Sequence, residues 1–254
     1  MSGLTFTFLG TGSSSQVPVY NCDCPACQRA RRDKTWVRRP CSALIENSHG
    51  KWLIDSGLMD LTDRFAPHTL TGILQTHYHA DHAQGLLHLR WGVGLKIPVY
   101  GPIDEVGFAD LYKNSGILDF QPGFAPFDSL RFPDFSVMAI PLQHSKPTVG
   151  YLISTFAGEN LAYLTDTCGL ADDVMQFLSA LPLKYAIVDC SYPPATQPRN
   201  HNDLTQALAI LAQLSPEQGF LTHIDHRVDA YLMEYPEALP PDVYLAKDGM
   251  QLVL

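Results

Sequence analysis

Apolar residues recur along the chain in short blocks with two different periods. Residues 4–9 are rich in Thr and Phe and run into Gly10-Thr11-Gly12, the pattern of a strand that ends in a turn. Residues 41–46 and 51–54 flank Asn47-Ser48-His49-Gly50 and predict a hairpin. Further strands are predicted at 70–76, 97–100, 136–141, 149–154, 161–165, 185–189 and 219–222, most of them stopping just before a polar or charged residue. Helical spacing is rarer, at 83–91, 105–112, 171–181 and 203–214, the last with Leu204, Leu208 and Leu211 on one face. No internal repeat, low-complexity tract or long linker interrupts the series. The 19 prolines and 18 glycines fall mostly between short elements. The pattern predicts one α/β (α+β) domain over 1–254, layered as an αββα sandwich.

Composition narrows the function classes. At 254 residues with 46% hydrophobic content, the chain can bury a sizeable core. No apolar run approaches the roughly eighteen residues of a membrane span. Met1-Ser2-Gly3-Leu4-Thr5 lacks the basic and apolar regions of a secretory signal, so a cytoplasmic protein without membrane contact is expected. A net charge of −9 argues against diffuse nucleic-acid binding, and an anionic ligand would need a local positive centre.

Candidate chemistry begins at Thr76-His77-Tyr78-His79-Ala80-Asp81-His82, directly after the apolar Ile73-Leu74. Residues two apart in an extended segment point the same way, so His77 and His79 can converge on one ion. As the chain turns into a helix near Ala83, Asp81 and His82 swing toward a second position. A dinuclear site needs further ligands at other strand ends, and His144, Asp166 and His223 each stand where a predicted strand gives out.

His-x-His-x-Asp-His at His77, His79, Asp81 and His82 resembles the signature of the metallo-β-lactamase superfamily, as do Gly10-Thr11-Gly12, Leu53-Ile54-Asp55-Ser56-Gly57 and the later His, Asp, His order. The resemblance implies that fold. It implies one ion on His77, His79 and His144, another on Asp81, His82 and His223, and Asp166 bridging. Asp55 is expected to orient a ligand from behind.

Three cysteines crowd into Cys22-Asp23-Cys24-Pro25-Ala26-Cys27, too close for a disulfide framework and one short of the tetrahedral set of a structural zinc. Cys41, Cys168, Cys190 and His226 are open as the fourth ligand. This zinc-binding loop insertion, at about 20–40, narrows the resemblance to the PhnP family of phosphoribosyl cyclic phosphodiesterases of the carbon-phosphorus lyase pathway. Leu89-Arg90-Trp91-Gly92-Val93-Gly94, Pro98-Val99-Tyr100-Gly101-Pro102, His144-Ser145-Lys146, Asp166-Thr167 and Pro198-Arg199-Asn200-His201 match as well. That likeness implies His226 as the fourth zinc ligand, two Mn²⁺ at the catalytic site and a homodimer. Imidazole and carboxylate alone would accept Mn, Fe, Ni or Zn.

The implied substrate is a small phosphorylated sugar, 5-phospho-α-D-ribosyl 1,2-cyclic phosphate. It would be hydrolysed to ribose 1,5-bisphosphate by attack of a metal-bridging hydroxide. His201, on a loop before the helix near Asp203, is the candidate proton donor to the leaving alkoxide, and with Asp81 and Asp166 it makes up the candidate catalytic set. Arg29, Arg31, Arg32, Lys34, Arg38 and Arg39 cluster within eleven positions and read mainly as a solvated face, with one or two able to grip the 5-phosphate. His49, His68 and His88 read as structural or surface residues. Rival readings are a tRNase Z-like nuclease, which lacks support in the acidic composition, a PqqB-like protein of cofactor biosynthesis, and a metal sensor without catalysis.

Overall fold

The computed structural model describes residues 3–254, so Met1 and Ser2 of the N-terminal segment considered above lie outside the described residues. The first half of the chain runs β1 (Thr5–Gly10), α1 (Pro25–Arg32), β2 (Ser42–Asn47), β3 (Gly50–Ile54), α2 (Leu61–Arg64), β4 (Leu70–Leu74), α3 (Ala80–Ala83), α4 (Leu86–Leu89), β5 (Ile97–Tyr100) and β6 (Leu118–Phe120). The second half runs β7 (Ser129–Phe132), β8 (Phe135–Pro141), β9 (Val149–Thr155), β10 (Asn160–Leu164), α5 (Asp172–Ser179), β11 (Leu183–Asp189), α6 (Leu204–Leu214), β12 (Gln218–Thr222), α7 (His226–Glu234), β13 (Val243–Leu245) and β14 (Gln251–Val253).

The strands form two mixed sheets, ordered β14-β1-β2-β3-β4-β5-β6 and β13-β12-β11-β10-β9-β8-β7. In each, the strands toward the β6 or β13 edge are parallel and those toward the other edge antiparallel. The period-two pattern of β1 explains its place: Phe6 and Phe8 are buried while Thr5 and Thr7 are not. They join Trp52, Phe135, Tyr151, Tyr163 and Phe220 in the core between the sheets. Leu53, Ile73, Val99 and Leu118 face the other way and pack under Leu58, Leu61 and Leu86. On the far side, Ala162, Ala186 and Val188 are covered by Val174 and Leu178 of α5, Ala207 and Leu211 of α6, and Val228 and Leu232 of α7. The result is the four-layer αββα arrangement.

Two expected helices differ. The stretch predicted as one helix over 83–91 is two single turns, α3 and α4, broken at Gly85, where an added Cβ would lie 2.2 Å from the Leu58 carbonyl oxygen. That close approach leaves room only for glycine where the two turns join. Residues 105–112 are turns, because the Asp104 carboxylate takes the N–H groups of Val106 and Gly107 and Gly107 sits at φ +58°. Among the described residues no helix is long and apolar enough to cross a membrane.

Candidate metal centre

β3, β4, β8, β10, β11 and β12 all end at one edge of the sandwich, and their ends carry the candidate ligands. Past β4, the His77–His82 segment passes through α3, which starts at Ala80 and sets Asp81 and His82 on its first turn. His144 follows β8, Asp166 follows β10 and His223 follows β12.

The donor atoms fall into two sets, those of His77, His79 and His144 and those of Asp81, His82 and His223, bridged by a third of His77, His82 and Asp166, the atoms of each within 4.8 Å of one another. His79 Nδ1 lies 3.0 Å from both His77 Nε2 and His144 Nε2. Asp166 Oδ2 stands between the sets, at 3.2 Å from His82 Nε2, 3.5 Å from His223 Nε2, 3.6 Å from His77 Nε2 and 3.9 Å from His144 Nε2. Asp81 Oδ2 is 3.5 Å from His223 Nε2 and 3.7 Å from His82 Nε2. With metal–ligand bonds of about 2.1 Å, neighbouring donors on one ion stand roughly 3.0–3.4 Å apart.

The remaining contacts of these rings support the same fit. His82 Nε2 and His223 Nε2 are buried yet make no aligned hydrogen bond, a costly state for a nitrogen that holds no cation. Each opposite nitrogen is tied down. His82 Nδ1 donates to Asp55 Oδ2 at 2.7 Å, where Asp55 also receives the Thr76 N–H and hydroxyl. His77 Nδ1 donates to Thr76 Oγ1 at 3.0 Å, and His144 Nδ1 to the Asn200 carbonyl at 2.9 Å. His223 Nδ1 donates to Ser191 Oγ at 2.9 Å, and that hydroxyl donates on to the His223 carbonyl. Fixing the Nδ1–H tautomer leaves an Nε2 lone pair facing the site.

Charge states agree. Burial holds His77, His79 and His144 below the usual histidine range, His144 at about 4, so these imidazoles are neutral near pH 7. Burial also opposes ionisation of Asp81 and Asp166, but the imidazoles of His82 and His223 outweigh it and hold both carboxyls below their usual range. For His82, burial is outweighed by Asp166, Asp55 and Asp81, which raise it, so without a metal a proton on Nε2 takes the place that a cation bound to these carboxylates would hold. This donor set suits divalent ions.

His201 closes the site from the loop before α6. Its ring stacks on His223 at 4.7 Å between centroids, and its Nδ1 lies 4.0 Å from Asp166 Oδ2. The same nitrogen is 3.3 Å from Asp189 Oδ2, an ion-pair contact off the line of an ideal hydrogen bond. Burial lowers the His201 pKa, and the carboxylates of Asp189 and Asp166 more than reverse this, to about 9. Asp189, Ser191, Thr76 and Asn200 are neighbours that the sequence reading does not single out. Asp189 was legible only as a strand end.

The cysteine loop forms a second cluster. Cys22, Cys24, Cys27 and His226 bring their donor atoms within 4.8 Å of one another, with His226 Nδ1 3.3 Å from Cys22 Sγ and 3.4 Å from Cys24 Sγ. Cys41, Cys168 and Cys190 lie elsewhere: Cys41 faces Tyr163 and Thr222, Cys168 the Pro198 carbonyl and Cys190 the Tyr192 carbonyl. The basic cluster is mainly a solvated face, with Arg29 and Arg38 built into the fold. Arg38 is buried and pairs with Asp229 at 3.3 Å, Arg29 pairs with the same carboxylate at 2.9 Å, and Arg31 donates to the carbonyls of Cys22 and Val19. Arg31, Arg32, Lys34 and Arg39, four of the six, are exposed. His49, His68 and His88 are exposed, His49 beside Asp134 at 3.2 Å.

A beta-lactamase superfamily domain model matches residues 56–224, and the chain belongs to that family and has its metallo-β-lactamase fold, with a His/Asp cluster suited to divalent metal ions. A protein named octanoyltransferase from Porphyromonas gingivalis is 27% identical over 97% of this chain but only 51% of its own length. A ribonuclease Z from Methanopyrus kandleri is 33% identical over 44% of this chain and 43% of its own length. The chain thus spans about half the length of these relatives. A solved structure described as a new diphosphatase from the PhnP family superposes with a TM-score of 0.81 at 24% identity, over 98% of this chain and 97% of that one. Zinc-bound PqqB from Methylobacterium extorquens superposes at 0.78 with 18% identity, over 98% and 100%.

Proposed function

We propose that the protein is a phosphodiesterase that hydrolyses 5-phospho-α-D-ribosyl 1,2-cyclic phosphate to ribose 1,5-bisphosphate in phosphonate catabolism. In this reading it is a cytoplasmic homodimer that carries two Mn²⁺ on the seven-residue set and one structural Zn²⁺ on Cys22, Cys24, Cys27 and His226. The observation that carries it is the placing of His201, stacked on one candidate ligand and held by Asp189, beside two donor sets that share Asp166.

Two divalent ions held there would supply Lewis acidity to a phosphoryl oxygen and acidify a water toward a pKa of ~7. Asp81 and Asp166 bring less negative charge than the two ions bring positive, so the site attracts a phosphate although the chain is acidic overall, at −9. His201, protonated near neutral pH, holds the proton that the departing sugar alkoxide requires. The Asn200 carbonyl ties the same loop to His144, so the acid and a metal ligand keep register. The likeness to a PhnP-family diphosphatase and the cysteine cluster favour a small phosphate substrate over an RNA.

Incubation of the manganese-loaded protein with the ribosyl cyclic phosphate, read by phosphorus NMR after the reaction is quenched and the metal removed, tests this reading, alongside an assay with precursor tRNA. The expected result is loss of the cyclic phosphate signal and growth of one new monoester signal beside that of the 5-phosphate, with the tRNA uncut. Cleavage of the tRNA with the cyclic phosphate untouched would establish the ribonuclease Z reading instead.

A further inference from the structure

Asp189 ends β11 with no exposure to solvent, yet it lies outside both donor sets. Its Oδ1 accepts the Thr167 N–H at 3.0 Å and the Asn202 amide at 3.2 Å. Its Oδ2 accepts the Asn202 N–H at 3.2 Å and faces His201 Nδ1 at 3.3 Å. Thr167 follows Asp166, and Asn202 follows His201. One buried carboxylate therefore fastens the loop of the shared metal carboxylate to the loop of the candidate acid.

The other groups hydrogen-bonded to the Asp189 carboxylate are all N–H donors, the set an ionised carboxylate takes, and a proton on His201 Nδ1 makes the 3.3 Å contact with Oδ2 attractive where a bare nitrogen lone pair there would be repelled. Two other contacts restrict the ring. Its stacking on His223 fixes the plane, and the capping of α6 by Asp203 with Gln206 fixes the loop exit.

We infer that Asp189 is the positioning residue for proton transfer: it holds the His201 Nδ1–H, so that the transferable proton sits on Nε2, and it keeps His201 from serving as a further metal ligand through Nδ1. The inference rests on the reading of His201 as the proton donor. The proton passes from His201 Nε2 to the sugar oxygen as the P–O bond breaks, and Asp189 keeps its charge throughout, stabilising the imidazolium before transfer.

The test compares the wild type with Asp189→Asn and His201→Ala in the zinc-loaded enzyme. An asparagine keeps the shape and one acceptor oxygen but turns an N–H₂ toward the imidazole. Asp189→Asn is expected to lower kcat on the ribosyl cyclic phosphate, whose leaving group is an alkoxide, by about 10²–10³-fold. Turnover of bis(p-nitrophenyl) phosphate, whose leaving group needs no proton, is expected to change by less than about threefold. Metal content should match the wild type. In ¹⁵N-edited NMR the His201 Nδ1–H signal, assigned by its loss in His201→Ala, should be present in the wild type and absent in Asp189→Asn.

Equal losses on both substrates with reduced metal content would make Asp189 merely structural and overturn the inference. So would a wild-type spectrum without a His201 Nδ1–H, a result that stands even if the variant does not fold. If His201→Ala itself shows no leaving-group dependence, the acid reading fails, and this is distinguishable from a failure confined to Asp189.

Discussion

Thr76 illustrates how much of the site depends on residues that bind nothing. Its hydroxyl accepts from His77 Nδ1 and donates to Asp55, and its N–H donates to Asp55 as well. Asp55 in turn takes the His82 Nδ1–H at 2.7 Å, so one buried carboxylate orients an imidazole in each donor set. Removing such a partner costs metal affinity rather than the ligand itself, typically 10–100-fold. Asp55→Ala is therefore expected to weaken metal binding by about that factor while the seven donors remain, as read by metal titration against a competing chelator. Ser191→Ala, which frees His223 Nδ1, should weaken binding at the set of Asp81, His82 and His223 in the same assay. A histidine kept neutral by burial also makes the metal-free fold sensitive to acid. His144 lies near 4 in the fold, below the roughly 6.5 of an unfolded histidine. Its contribution to stability is thus fully present above about 6.5 and lost as the pH falls through 4. Thermal melts of metal-free protein across that range should show falling Tm, and His144→Gln should flatten part of the slope.

Among the elements, legibility in the sequence followed the density of local signal. His77 to His82 pack four donors into one short turn, so spacing alone was enough to mark them. His144, Asp166 and His223 were readable because each apolar strand stops at a polar residue, whereas Asp189 stops a strand in the same way and was passed over as ordinary. The helices α1 and α7 were missed for a physical reason: α1 carries a Cys24 cap with Pro25 at its start, and α7 shows little more than Val228 and Leu232 as a buried face. The edge strands β6, β13 and β14 are three residues each, too short for any period to register. The cysteine loop is pinned to α7 by Arg38 and Arg29 on Asp229 as well as by the cluster with His226. Breaking a buried pair strands its charge, so Asp229→Ala is expected to cost about 3–5 kcal/mol of stability in denaturant melts. Gly57 shows the same dependence at the metal loop. A Cβ there would lie 1.7 Å from the Asp81 carbonyl oxygen, so Gly57→Ala must displace α3 and should lower metal content together with Tm.

Across the whole molecule, the candidate centre sits where the two sheets meet, and each donor set draws on both. His77, His79, Asp81 and His82 belong to the β4 side; His144, Asp166 and His223 come from the β8, β10 and β12 ends. Direct ties at this edge include the Val149 N–H donating to the Thr76 carbonyl at 2.9 Å, the Tyr151 hydroxyl to the Gln75 carbonyl at 2.5 Å, and the Ile224 N–H to the Thr11 carbonyl at 2.8 Å. Bound cations would thus act as a cross-link between the halves of the sandwich and would offset the mutual repulsion of Asp81 and Asp166. A ligand present at 100 times its dissociation constant adds about 2.7 kcal/mol per site to the folded state. Chelation should therefore lower Tm, and manganese or zinc should restore it. Hydrogen exchange should rise together over the segments 76–83, 142–145, 166–169 and 223–226, because all four lose the same anchor. A chelated protein whose Tm is unchanged, or whose exchange rises only in the β4 segment, would mean that the sheets are held without metal and that the donor sets act independently.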